Sequence, residues 1–102
     1  MTQSRATQEN SFSICGKILD ILPPQKLNDK LTKSSIILAV YTGQYENQVP
    51  FDFFNKNALI PSGFKKGDWV LINFQLRGRK VTNAEGKTNY YGTNDGINCI
   101  LG

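Results

Sequence analysis

The sequence predicts an all-β protein of five strands with one short helix between the third and fourth strands. Three observations lead to this prediction. Apolar and polar residues alternate in several segments, most clearly over residues 69–79, as expected for half-buried strands. Turn residues separate these segments, and only residues 55–60 suggest a short helix. The chain has 102 residues, of which 39% are hydrophobic and 20% charged, so one globular domain with one modest core is predicted.

The first strand is predicted over residues 12–22, which are rich in β-branched and bulky apolar side chains. Gly16 in the middle of this strand indicates a sharp bend or a bulge. Pro23 and Pro24 are expected to end the strand, because neither has a backbone N–H to give to a β-ladder. Residues 25–33 carry three lysines and are therefore predicted to form a long basic loop.

The second and third strands are predicted over residues 34–42 and 48–54, where apolar residues again alternate. Pro50 lies within the third strand, which indicates an edge position or a missing ladder hydrogen bond. Residues 55–60 are predicted to form a short helix that ends at Pro61.

The fourth strand is predicted over residues 69–79 and has the clearest alternation in the chain. A hairpin loop is predicted at residues 83–86, which include glycine and asparagine. The last strand is predicted to start near Thr88, to be interrupted at residues 92–96 and to resume over residues 97–101.

The order of these elements favours a particular barrel. Five strands with a long first connection, a helix after the third strand and a long hairpin before the fifth match the OB-fold. A five-stranded SH3-like barrel is the competing fold, but it normally has shorter strands and no helix at this place. An OB-fold binds oligonucleotides or oligosaccharides across its second and third strands, between its first and last long loops.

Domain boundaries and compartment follow from the distribution of polar residues. Residues 1–11 are polar and are expected to form a disordered N-terminal arm, while residues 12–102 form the single OB-fold domain. No apolar run is long enough to span a bilayer, and residues 1–11 lack the apolar region of a secretory signal. The expected compartment is the cytoplasm, and no membrane partner is expected.

The composition argues against several kinds of catalytic and metal site. The chain has no histidine, which excludes histidine-based catalysis and histidine metal sites. Cys15 and Cys99 are too few for a four-thiolate zinc site, and both are predicted to be reduced and buried. A nuclease would need clustered carboxylates, whereas the aspartates are scattered in the predicted strand map. These are Asp20, Asp29, Asp52, Asp68 and Asp95. We therefore expect no enzyme activity, no catalytic residue, no metal and no cofactor.

Several short motifs follow one another in a familiar order. They are Gly16-Lys17-Ile18, Ile21-Leu22-Pro23, Ile36-Ile37-Leu38, Phe51-Asp52-Phe53-Phe54, Phe64-Lys65-Lys66-Gly67-Asp68 before the strand with Val70, Ile72 and Phe74, and the pair Tyr90-Tyr91. With these motifs the sequence resembles small bacterial and phage OB-fold domains, similar to single-stranded-DNA-binding proteins, over residues 13–98. The resemblance implies that the chain coats single-stranded DNA in replication, recombination or repair, with RNA left open.

Aromatic residues supply the first half of the predicted binding surface, because bases stack on flat aromatic side chains. Phe51, Phe53 and Phe74 are assigned to the core, since they share their phase with apolar residues such as Ile72 and Leu76. Tyr90 and Tyr91 are adjacent, so one is expected to point inward and the other outward. The aromatic residues expected to bind nucleic acid are Tyr41 and Phe54, which are out of phase with the core, together with Tyr91 and Trp69.

Basic residues supply the second half. The formal net charge is +4 and the pI is near 9.2, which is compatible with an anionic partner. Seven of the basic residues fall in the two loops that would hold a ligand in an OB-fold. They are Lys26, Lys30 and Lys33 in the first, and Arg77, Arg79, Lys80 and Lys87 in or beside the last. The alternative is a protein-protein interaction module, whose exposed aromatic residues contact another protein or a second copy of the chain. Both functions leave a homo-oligomer open.

Overall fold

The computed structural model describes residues 11–102. Residues 1–10 of the predicted N-terminal arm lie outside this range, and Ser11, its last residue, belongs instead to the first strand. Five strands and one 3₁₀ helix follow one another along the described chain. They are β1 (Ser11–Asn28), β2 (Leu31–Thr42), β3 (Tyr45–Phe54), the 3₁₀ helix (Asn55–Gly63), β4 (Trp69–Thr82) and β5 (Thr88–Leu101). The strands close a barrel in the order β1-β2-β3-β5-β4. This arrangement confirms the predicted five-stranded OB-fold barrel with a helix between strands 3 and 4.

β1 pairs with two neighbouring strands, and Gly16 lies next to the point where the pairing changes from β4 to β2. Residues up to Lys17 pair with β4, and residues from Lys17 onward pair with β2. A side chain at Gly16 would place its Cβ 2.6 Å from the carbonyl oxygen of Ala39 and 2.8 Å from Cγ of Leu38. The predicted bend is thus a position where β2 approaches the backbone of β1 too closely for any residue but glycine.

The barrel core contains most of the apolar residues that the alternation along each strand predicts to be buried. The fully buried side chains include Ile18, Ile36, Leu38, Phe51, Phe53, Val70 and Ile72. Phe74 is half-buried and packs edge-on against Phe51, with ring centroids 4.9 Å apart. Leu76 has the same phase, but 60% of it is exposed, because β4 continues there beyond the end of the barrel. The assignment of Leu76 to the core is therefore wrong.

The predicted long basic loop at residues 25–33 is a β-hairpin. β1 extends through Pro23 and Pro24 to Asn28, and β2 begins at Leu31 after a two-residue turn. The two prolines fall within a register shift between Leu22 and Gln25 of β1. The ladder is already irregular there, so the two missing N–H groups do not end the strand.

The last strand is also longer than its sequence predicts. β5 runs without interruption through residues 92–96, where Gly92 pairs with Gly78 and Gly96 pairs with Phe74 of β4. β3 starts at Tyr45, and Pro50 lies opposite Ile37 of β2.

The contact between β3 and β5 is a single parallel pair. In the described part of the chain, Pro50 therefore has no backbone ladder partner on β5, in agreement with the predicted missing ladder hydrogen bond, and its carbonyl oxygen accepts a hydrogen bond of 3.1 Å from the side chain of Asn94 on β5. The 3₁₀ helix continues past Pro61 to Gly63. Within residues 11–102, no helix is long and apolar enough to cross a membrane.

Candidate nucleic-acid interface

A groove of about 420 Å³ lies on the outer face of the barrel, between the β1–β2 hairpin and the β4–β5 hairpin. Its lining residues come from every strand. They are Leu27, Leu31, Lys33, Asp52, Phe54, Asn55, Arg77, Arg79, Thr93 and Asp95. A second pocket of about 290 Å³ adjoins it and shares four of these residues, Phe54, Asn55, Arg77 and Asp95. The position matches the place where OB-folds receive oligonucleotides or oligosaccharides.

The strand register explains why these side chains meet. Lys33 and Phe54 are Cα partners in the β2–β3 ladder, so both lie on the outer face. Asp52 and Asp95 are Cα partners at the single β3–β5 pair, which brings β5 to the same face. Arg77 follows on β4, next to β5. The outer face is thus continuous from β2 across β3 and β5 to β4.

Two buried carboxylates form the floor of the groove, and each has a cationic neighbour. Asp52 accepts a hydrogen bond of 2.7 Å from the hydroxyl of Ser35, and Lys33 Nζ lies 3.8 Å from the same carboxylate oxygen. Asp95 accepts a hydrogen bond of 3.0 Å from Thr93, and Arg77 Nε lies 2.8 Å from its Oδ2. The expectation that the aspartates are scattered is therefore wrong for Asp52 and Asp95, which the pairing of β3 with β5 brings together.

Arg79 adds a positive charge that has no ion-pair partner among residues 11–102. The side chains of Lys33 and Arg77 are 40% and 73% exposed, so both also present charge to solvent. The rim of the groove therefore carries more positive charge than its carboxylate floor needs for balance. Such an excess attracts phosphate groups.

The structure brings four of the predicted binding residues into the groove: Lys33, Phe54, Arg77 and Arg79. Tyr91 joins them from the side, because it is the Cα partner of Arg79 in the β4–β5 ladder. Tyr90 and Tyr91 are 77% and 52% exposed. The expectation that one of this pair points inward is therefore wrong, because the hairpin that carries them extends beyond the barrel.

The other predicted lysines lie around the groove but do not line it. Lys26 is paired with Thr32, which alternates with the groove-lining Leu31, so Lys26 belongs to the opposite face of its hairpin. Lys30 is in the turn of that hairpin. Lys80 follows Arg79 and likewise belongs to the opposite face of the β4–β5 hairpin, and Lys87 lies in the turn of the latter.

Two predicted aromatic residues lie on the outer face but far from Phe54. Tyr41 is eight positions along β2 from Lys33, which corresponds to roughly 26 Å of strand. Its hydroxyl donates a hydrogen bond of 3.1 Å to Glu46, and that carboxylate raises the pKa of Tyr41. Trp69 is equally far along β4 from Arg77 and is paired with Lys17. Both side chains are exposed, at 57% and 56%.

Sequence reasoning missed several residues that line the groove, chiefly Leu27, Leu31, Asp52 and Asp95. Their phase in the strands could have placed the aspartates on the outer face, but not opposite each other. Among residues 11–102 no three metal-binding side chains of histidine, cysteine, aspartate or glutamate come together. Cys99 is buried as predicted, whereas Cys15 is exposed because it has the opposite phase in β1 to the buried Gly16.

Comparisons with known proteins give information on the family and the fold. The family model described as "Domain of unknown function (DUF3127)" matches residues 13–96. No curated protein has a matching sequence. The crystal structure of Rim1, a mitochondrial single-stranded DNA binding protein from S. cerevisiae, is similar, with a TM-score of 0.68 over 93% of this chain and 96% of that chain. The two sequences are 13% identical, and the likeness supports the OB-fold. Neither match points to a bacterial or phage family.

Proposed function

The chain belongs to the DUF3127 family, and we propose that it is a single-stranded-DNA-binding protein that coats strands in replication, recombination or repair. One observation carries the proposal: the groove joins an aromatic side chain, Phe54, to three cations on the outer face of an OB-fold barrel. The proposal implies no chemical step. It keeps the cytoplasm as the compartment, as expected from the sequence.

In this proposal, the aromatic and the basic residues of the groove contact different parts of a nucleic-acid strand. A base stacks on Phe54, while neighbouring phosphates contact Arg77, Arg79 and Lys33. Stacking on an aromatic side chain contributes about 1–3 kcal/mol per base and depends little on sequence, because every base has a π-face. Tyr91, beside Arg79, extends this platform along the β4–β5 hairpin.

The structural neighbour adds independent support. Rim1 is described as a mitochondrial single-stranded DNA binding protein, and it shares the barrel over nearly the whole of both chains. A shared fold by itself does not transfer a function. The proposal therefore rests on the groove of this chain, and the neighbour adds that such a barrel accommodates single-stranded DNA.

Binding of a fluorescently labelled single-stranded DNA of mixed base composition, followed by anisotropy, tests the proposal. We expect the wild-type protein to bind, and Arg79→Glu to weaken binding several-fold because it reverses a charge in the groove. Lys65→Glu is the matched control, since Lys65 is exposed in the segment before β4 and does not line the groove. Absence of binding by the wild type, or equal losses in both variants, would contradict the proposal. The same titration with an RNA of the corresponding sequence compares RNA with DNA.

A specific observation favours the alternative of an interaction module. Cys15, Leu71 and Ile100 are aligned across β1, β4 and β5 on the outer face, next to the exposed Trp69. Such an apolar row is a candidate contact for a second copy of the chain. Sedimentation equilibrium of the wild type and of Ile100→Glu tests it. A wild-type oligomer that the substitution dissociates would support the alternative, and a monomeric wild type would exclude a second copy as the partner.

A further inference from the structure

The floor and the rim of the groove have opposite charges. Asp52 and Asp95 are both 8% exposed and lie side by side across β3 and β5, whereas Arg79 and Lys33 stand at the rim. Carboxylates repel phosphate groups and attract hydrogen-bond donors. A strand in this groove therefore has its phosphates at the rim and its base edges toward the carboxylates.

One oxygen of Asp95 lacks a hydrogen bond. Its Oδ1 accepts from the hydroxyl of Thr93, but its Oδ2 is buried and accepts none from any residue between 11 and 102. Arg77 Nε lies 2.8 Å from Oδ2 as an ion-pair contact, but its N–H is not directed at that oxygen. A buried carboxylate oxygen without a hydrogen bond gains free energy from any N–H group that reaches it. Asp95 also lines the smaller pocket, together with Phe54 and Gln75.

We propose that Asp95 makes the groove selective for nucleobases that carry an exocyclic amino group, an inference that rests on the proposed function. Cytosine, adenine and guanine each present an amino group that can donate to Oδ2. Thymine and uracil have only the ring N3–H as a donor, and this N–H lies between two carbonyl oxygens whose lone pairs the carboxylate repels. A base stacked on Phe54 is adjacent to Asp95 in both pockets, so its edge is read where it stacks.

Arg77 takes part in the selection through an exchange of partners. Its side chain is 73% exposed and leaves Asp95 to contact a phosphate when a strand binds. The amino group of the base then takes the place of Nε at Oδ2. The hydrogen bond from the base offsets part of the free energy lost when the guanidinium leaves the buried carboxylate, and the phosphate gives the guanidinium a new anionic partner. A base without an amino group offers Oδ2 only its N3–H, and the two carbonyl oxygens beside that N–H oppose the exchange.

The sharpest test compares oligo-dC with oligo-dU of the same length, which differ at C4 by an amino group against a carbonyl. The measurement is made at mildly alkaline pH, where cytosine is unprotonated. We expect the wild type to bind oligo-dC roughly tenfold more tightly, the effect of one hydrogen bond to a charged acceptor. In Asp95→Asn the ratio should fall to one or invert, because the amide N–H₂ donates to the uracil carbonyl. Asp20→Asn is the matched control, since Asp20 pairs with Lys66 outside the groove and should leave the ratio unchanged.

The outcomes separate the two proposals. Equal wild-type affinities for the two oligomers would overturn the selectivity while leaving the proposed function intact, and no binding to either would overturn the proposed function. An unchanged ratio in Asp95→Asn would overturn the role of Asp95. If that variant fails to fold, Thr93→Val removes the hydroxyl that orients Asp95, and the ratio should then fall toward one. An unchanged ratio in Thr93→Val would also count against the role of Asp95.

Discussion

The ring of Phe53 lies directly against the backbone of Gly96, where β5 passes over the barrel core. Three ring atoms lie within 2.6 Å of the position that a Cβ at residue 96 would occupy. Phe53 is fully buried, so its ring has no free space in which to retreat. Only glycine allows this approach, and the approach holds the neighbouring Asp95 against β3 at the floor of the groove.

Gly96→Ala should therefore destabilise the protein. Forcing a methyl group into a packed core typically lowers the free energy of unfolding by about 1–3 kcal/mol. Gly92→Ala is the matched control in the same strand, because a Cβ there would meet its nearest atom at 3.9 Å, an ordinary contact distance. Urea unfolding of both variants measures the difference. Equal stability of the two would show that the ring of Phe53 moves aside without penalty.

The adjacent residues Phe53 and Phe54 should separate stability from binding. Phe53→Ala should lower the free energy of unfolding by about 3–5 kcal/mol, because the side chain fills the core. Phe54→Ala should have a smaller effect on folding, since the side chain is half-buried in the groove, but should weaken oligo-dT binding by about 1–3 kcal/mol. Thermal melting and anisotropy titrations give the two quantities. A normal affinity for Phe54→Ala would exclude stacking at this position.

Tyr41→Ala provides a length-dependent control for Phe54→Ala. Tyr41 lies on the same face but roughly 26 Å away along β2. DNA oligomers that are too short to reach from Phe54 to Tyr41 should bind this variant as tightly as they bind the wild type. Longer DNA oligomers, which reach Tyr41, should bind the variant less tightly than the wild type, because the variant lacks the ring on which a base stacks. Weaker binding of the shortest strands would mean that ligand lies along β2 rather than in the groove.

Arg77 and Arg79 should differ in their effects on stability. Arg77→Ala leaves the buried carboxylate of Asp95 without its cation, so we expect a loss of about 1–3 kcal/mol in addition to weaker DNA binding. Arg79→Ala removes no ion pair and should alter stability by less than about 0.5 kcal/mol while weakening binding. Chemical unfolding of the two variants decides this. A larger stability loss in Arg79→Ala would contradict the ion-pair assignment.

Binding should fall with salt concentration in proportion to the cations in the groove. Lys33, Arg77 and Arg79 line the larger pocket and Lys56 lines the smaller one. Three to four phosphate contacts correspond to a slope of about −2 to −3 in a plot of log K against log salt, at ~0.7 per contact on a single strand. Anisotropy titrations at several salt concentrations give the slope. An affinity independent of salt would show that these cations do not contact phosphates.

The two thiols should react at very different rates. Burial, with a smaller contribution from the charge of Asp68, raises the pKa of Cys99 to about 11, so this side chain stays a protonated thiol at neutral pH. Cys15 is exposed. A thiol reagent should therefore label one cysteine in the native protein and both after unfolding. Cys15→Ser should abolish labelling of the native protein, and rapid labelling of this variant would show that the barrel opens near Cys99.

The core was predictable from the sequence because strand phase is a local property. Alternation places Ile72 and Val70 inside, and it correctly assigns Phe53 to the core and Phe54 to the outer face. The alternation of apolar and polar residues does not indicate where a strand extends beyond the barrel. It therefore predicts a core position for Leu76, whose side chain is largely exposed.

The candidate site was less predictable, because it depends on pairs that are distant in sequence. Asp52 and Asp95 are adjacent because they form the single ladder pair between β3 and β5. No local sequence pattern predicts this pairing. Pro23 and Pro24 signal a strand end locally, but the ladder with β2 resumes at Gln25. Tertiary pairing thus converted a predicted loop into one wall of the groove.

The change of neighbours in β1 also has a consequence for folding. The hairpins that join β1 to β2, β2 to β3 and β4 to β5 connect residues close in sequence, whereas Ser11 pairs with Gln75 and Lys17 with Trp69. These last partners are 52 to 64 residues apart in sequence, so closing the β1–β4 ladder requires a large loss of chain entropy before its contacts form. We expect this closure to be the late step, on the millisecond-to-second scale of non-local β-barrels. On the ribosome, the first half of β1 must wait without its β4 partner until most of the chain has been synthesised.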